Sequence, residues 1–157
     1  MRSGYVEGIL GKNYMISSTV DTCHFDSVQT CHAGPDTSHG VGNVLIVEDD
    51  VDTADTLVRL LSQEGFGVRA VSNRDEALTA MERYLYQVVV LDFWMPGLRA
   101  KPFLKEASRR FPRTKFVLIT AGESAKKTAE SLGLKYWIPK PLMPEEVIDR
   151  LRELTHD

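Results

Sequence analysis

The sequence predicts a doubly wound α/β domain in which a parallel five-stranded sheet carries helices on both faces. Three observations lead there. From Asn43 onward, short apolar runs alternate with amphipathic stretches of helical length, the pattern of successive βα units. The run Val88–Leu91 is apolar without alternation, as a central parallel strand covered on both sides should be. Four of the runs lead into polar residues that carry chemistry: Glu48-Asp49-Asp50, Asp92, Thr120 and Lys140.

Residues 1–42 stand apart. They are rich in Ser, Thr, Gly and His, hold no sustained period, and are read as an irregular or disordered extension before a domain at 43–157. The first strand is Val44–Val47. A helix follows in which Val51, Ala54, Leu57, Val58 and Leu61 recur at three- and four-residue steps, and Gly65 and Gly67 end it. Val68–Val71 is the second strand. Asn73, with Glu76 three residues on, predicts a capping box for a helix that turns Ala77, Leu78 and Met81 inward. Val88–Leu91 is the third strand.

Pro102 suits the first turn of a third helix with Phe103, Leu104, Ala107 and Phe111 on one side. Phe116–Ile119 is the fourth strand. Residues 123–132 offer only the thin apolar stripe of Ala125, Ala129 and Leu132, which predicts a loosely held helix. Tyr136–Ile138 is the fifth strand. Pro144, Glu145 and Glu146 open a last helix with acids at its positive end, and Val147, Ile148, Leu151 and Leu154 face inward.

In open parallel sheets ligands collect beyond the carboxyl ends of the strands, so the polar residues there define a candidate pocket. Carboxylates crowded together repel one another, and a hard divalent cation such as magnesium relieves the repulsion through oxygen ligands. A lysine adds a point charge and a threonine hydroxyl one hydrogen bond. Such a set can stabilise the charge on a transferring phosphoryl group, with an aspartate as nucleophile. Each residue also has a plain alternative. Asp49 or Asp50 alone could cap a helix, Thr120 could be a strand-end hydroxyl, and Lys140 could be a solvated surface lysine.

Taken in order, the motifs Val-Leu-Ile-Val-Glu-Asp-Asp at 44–50, Val-Val-Val-Leu-Asp-Phe-Trp-Met-Pro-Gly at 88–97, Val-Leu-Ile-Thr-Ala at 117–121 and Pro-Lys-Pro at 139–141 resemble the receiver domains of bacterial response regulators. The steps of 43, 28 and 20 residues from Asp49 to Asp92 to Thr120 to Lys140 agree with that family. The resemblance covers about residues 43–156. It implies a flavodoxin-like (βα)5 fold with sheet order 2-1-3-4-5. It further implies that Asp92 accepts phosphate from a sensor histidine kinase or phosphotransfer protein. Glu48, Asp49, Asp92 and the main-chain carbonyl of Trp94 would hold Mg2+, while Lys140 and Thr120 would bind the phosphoryl group.

In the family an aromatic three residues before the lysine swings inward on activation. That place is Trp137 here, so Thr120 and Trp137 are the candidate switch residues, with Trp137 bulkier than the usual Tyr or Phe. Lys140-Pro141 is commonly a cis peptide in the family. Signalling would pass through the face of the fourth helix, fifth strand and fifth helix, to an unknown downstream protein or in a phosphorylation-dependent homodimer. The domain would catalyse its own phosphoryl transfer and slow autodephosphorylation without being an enzyme in the ordinary sense. Trp94 and Gly122 lie where the family tunes phosphoryl lifetime.

Other functions fit less well. An aspartyl-phosphate hydrolase would want an acid–base carboxylate two residues beyond the nucleophile, where Trp94 stands. A nucleotide-binding domain would want a Gly-rich loop after the first strand, and none follows. A degenerate receiver, never phosphorylated, would not be expected to keep all of Glu48, Asp49, Asp92, Thr120 and Lys140. A net charge of -3 argues against a broad nucleic-acid face, and no apolar run approaches the roughly 20 residues needed to span a bilayer. Cytoplasmic residence is therefore expected. In the extension, Cys23, His24, Cys31, His32 and His39 match no usual zinc spacing, and Met15 offers an alternative start. The sequence ends at Asp157 after the fifth helix, which leads to the expectation that output comes from protein contacts, as in a single-domain regulator, or that the chain is a fragment.

Overall fold

The computed structural model describes residues 5–7, 13–15, 40–95, 98–121 and 125–156. The chain divides into two units, Met1–His32 and Ala33–Asp157. In the first, β1 (Tyr5–Glu7) pairs antiparallel with β2 (Asn13–Met15), a short ladder that the irregular composition did not signal. Cys23, His24, Cys31, His32 and His39 lie outside the described residues, as do Pro96, Gly97 and Gly122.

The second unit alternates β3 (Gly42–Val47), α1 (Val51–Gln63), β4 (Phe66–Val71), α2 (Arg74–Arg83), β5 (Val88–Asp92), α3 (Ala100–Arg110), β6 (Lys115–Ala121), α4 (Ala125–Ser131), β7 (Tyr136–Lys140) and α5 (Pro144–His156). All five strands are parallel in the order β4-β3-β5-β6-β7, which is 2-1-3-4-5 counted within the sheet. Alternation along β3 shows the layering. Leu45 and Val47 pack with α2 and α3 residues and with Ala129 of α4, whereas Val44 and Ile46 pack with Leu57 and Leu61 of α1 and with α5. β5 is buried along its whole length. Covering each such aliphatic side chain on both faces of the sheet contributes about 1.5–3 kcal/mol.

Local chemistry sets the helix starts. Asp50 caps α1 by accepting from the Thr53 N–H (2.9 Å) and from the Thr53 hydroxyl. Asn73 caps α2 by accepting from the Glu76 N–H at 2.9 Å. Glu76 reaches back as a capping box should, but to the N–H and hydroxyl of Ser72 (3.1 and 3.3 Å), one residue earlier than expected. Arg99, ahead of α3, sits in the left-handed region (φ 47) and gives no side-chain cap. Of the residues expected inward on α1, Ala54, Leu57 and Leu61 are buried and Val58 partly so. Val51, at the first position of α1, instead stands 42% exposed.

Below the site, Gly42 admits the C-terminal turn of α5: a Cβ there would lie 2.6 Å from Thr155 Cγ2.

Candidate functional site

Three polar residues, Glu48, Asp92 and Thr120, are buried among the described residues, and all lie at the carboxyl edge of the sheet. Their positions follow from the ladder. Glu48 continues β3, its N–H bonded to the Val71 carbonyl at 3.0 Å. Asp92 is the last residue of β5, opposite Ile119. Thr120 and Lys140 lie inside strands rather than after them, because β6 and β7 keep pairing through Thr120↔Pro139 and Ala121↔Lys140.

The Asp92 carboxylate is held from two sides. Lys140 Nζ donates to Oδ2 at 2.9 Å, and the Trp94 N–H donates to Oδ1 at 3.1 Å. The lysine side chain is about one-third exposed while that of Asp92 is 8% exposed, so the cation reaches in from the rim. One carboxylate oxygen each from Glu48, Asp49 and Asp92 falls within 4.8 Å of the others. Burial holds the Glu48 carboxyl above its ordinary range, and the charges of Asp92 and Asp49 push the same way. The Asp50 N–H, which donates to Glu48 Oε1 at 3.1 Å, and the nearby Lys140 oppose the rise. Two buried carboxylates and an exposed third, all hard oxygen donors, form the set that a hard divalent cation would relieve.

The sequence-predicted residues are thus brought together, with one refinement. Of the acids after β3, Glu48 and Asp49 face Asp92, while Asp50 is spent on capping α1, and those hydrogen bonds lower its pKa. Thr120 is 2% exposed on the strand beside Asp92. Trp137 is half-buried against the cluster that holds Phe116, Leu118 and Ala129. Lys140-Pro141 is cis. Sequence reasoning missed the Trp94 N–H, since a main-chain donor carries no residue-type signal. Trp94 itself projects 68% exposed, edge-on to Phe93 with ring centroids 5.3 Å apart.

The fold is shared with known proteins. The response regulator receiver domain profile matches residues 44–152. The hydrogenase transcriptional regulatory protein HoxA of Cupriavidus necator is 35% identical over 113 residues, covering 70% of this chain and 23% of HoxA. The sensory transduction protein RegX3 of Mycolicibacterium smegmatis is 34% identical over 112 residues, covering 70% of this chain and 49% of RegX3. The chain therefore spans half or less of the length of these curated relatives. Among solved structures, the receiver domain of Francisella response regulator 1452 superposes with a TM-score of 0.66 at 25% identity, covering 73% of this chain and 97% of that one. Brucella abortus NtrX does so with a TM-score of 0.67 at 27% identity, covering 73% and 27%.

Proposed function

The chain belongs to the response regulator receiver domain family of two-component signalling, and on that premise we propose that Asp92 is its phosphoacceptor. Receiver domains act with histidine kinases or phosphotransfer proteins and bind Mg2+ through acidic residues. The observation that carries the reading is the Asp92 carboxylate, buried, bonded to Lys140, and within 4.8 Å of oxygens from Glu48 and Asp49.

An Asp92 oxygen attacks the phosphorus of a donor phosphohistidine. A P–O bond forms as the P–N bond breaks, and the histidine nitrogen leaves with the electron pair. Lys140, already at the carboxylate, would move its contact to the new phosphoryl oxygens and offset their charge. Glu48, Asp49 and Asp92, with the main-chain carbonyl of Trp94, would hold Mg2+, which when bound neutralises charge on the transferring group. Three of the four exposed large apolar residues among those described, Val51, Trp94 and Met143, follow β3, β5 and β7 at this edge. That apolar rim supports docking of a donor protein over Asp92.

Phosphorylation adds roughly -1.5 to -2 charges and strong acceptor oxygens. Thr120, on β6 beside Asp92, would donate to them, and the space it leaves would let Trp137 move inward and bias the α4–β7–α5 face between two packings. α4 is seven residues long and buries only Ala125 and Ala129.

Incubation with acetyl phosphate and Mg2+, read by intact mass, tests the assignment. Wild type should gain about 80 Da, one phosphoryl group, and Asp92→Ala or added chelator should abolish the gain. An equal gain in Asp92→Ala would overturn it.

A further inference from the structure

α3 and α5 carry rows of opposite charge. From Arg99 to Lys115 the chain holds Arg99, Lys101, Lys105, Arg109, Arg110, Arg113 and Lys115 against one acid, Glu106. Glu106 is already engaged by Arg74 and Arg110, and Arg110 also reaches Glu82. Lys101, Lys105 and Arg109 are exposed, and no ion pair among the described residues engages them. They recur every four residues along α3 and so form one row, with steps of about 6 Å along the helix axis.

The opposite layer carries the mirror of this row. On α5, Glu145, Asp149 and Glu153 are exposed and also recur every four residues. Glu146, Asp149, Arg150 and Glu153 line an open hollow there. Arg150 donates to Glu153 at 3.1 Å, but both are exposed, and such a pair exchanges partners at little cost.

α3 and α5 pack on opposite faces of the sheet, through Phe103, Leu104 and Ala107 on one side and Val147, Ile148, Leu151 and Leu154 on the other. The two rows therefore cannot satisfy each other within one molecule. We propose that they do so between molecules: the acidic row of α5 in one copy docks along the basic row of α3 in another. Equal spacing lets Asp149 and Glu153 meet Lys105 and Arg109 in register. Because the two surfaces differ, the contact is heterologous and leaves each copy a free α3 or α5 for a further neighbour. The association is weak, electrostatic and salt-sensitive, and it does not involve the residues around Asp92.

Sedimentation velocity on the full chain over a wide concentration range tests this. In about 10 mM salt the average sedimentation coefficient should rise with concentration. In about 1 M salt, where the screening length falls to about 3 Å, it should stay at the monomer value. The double variants Lys105→Glu/Arg109→Glu and Asp149→Lys/Glu153→Lys should each be monomeric in low salt, and their equimolar mixture should associate again. Acetyl phosphate should still label both, which controls for folding. A wild type that stays monomeric in low salt, a variant that still self-associates, or a mixture that fails to recover would each overturn the proposal. So would a monomeric wild type that binds a short single-stranded DNA through Lys105 and Arg109, which would assign the α3 row to a polyanion instead.

Discussion

The Asp92 carboxylate is almost wholly removed from water, and two donors of different kinds hold it. The Trp94 N–H is fixed by the backbone, whereas the Lys140 ammonium is mobile on a long stem. Removing the ammonium leaves Asp92 facing Glu48 and Asp49 with no other ion pair to it among the described residues. In metal-free buffer, Lys140→Ala should lower stability by about 1–3 kcal/mol, read from the urea midpoint. The value stays below that for a fully buried pair because Lys140 is one-third exposed. Unchanged stability would mean that solvent already screens the carboxylate. Tyr86 presents a separate titration. Burial raises its pKa above the ordinary 10.0, against the opposing charge of Arg69. The unfolded chain then loses this proton first, so the contribution is intact below pH 10 and is lost as pH rises through the folded value. Tyr86→Phe should remove that part of the alkaline stability loss, measured as Tm against pH beside wild type.

Between elements, β3 and α5 meet closely. Gly42 meets Thr155 there, and its neighbour Asn43 donates its N–H to Gln87 Oε1 at 2.6 Å. The Thr155 hydroxyl is itself tied to the Leu151 carbonyl at 2.9 Å, so the side chain has little room to turn away. Gly42→Ala should cost about 1–3 kcal/mol through overpacking, checked by thermal unfolding. Such joints were not legible in the sequence, since they depend on residues more than a hundred positions apart. The strands were legible, because a strand buried on both faces must be apolar without interruption, and Val88–Leu91 is. Their ends were less so. Thr120 and Lys140 belong to β6 and β7 because a parallel ladder runs on as long as a neighbour pairs with it. Asp50 shows the remaining limit, since composition could not say which of three successive acids would turn to the helix end.

At the scale of the whole domain, the candidate site was legible because residues far apart in sequence share one edge, and the alternation of elements alone puts them there. The segregation of α3 cations from α5 acids became visible only once the two helices were known to lie on opposite layers. Trp94 and Trp137 add an optical consequence. The chain contains two tryptophans. One projects into solvent beside Asp92, and the other is half-buried near α4, so the protein carries a separate emitter at each end of its proposed relay. Trp94→Phe should leave the bluer, acrylamide-resistant emission of Trp137, and Trp137→Phe the redder, readily quenched emission of Trp94. Titrating Mg2+ should perturb the second spectrum, whereas phosphorylation should move the first, so that the arrival of the signal and its departure can be timed independently in one unlabelled molecule.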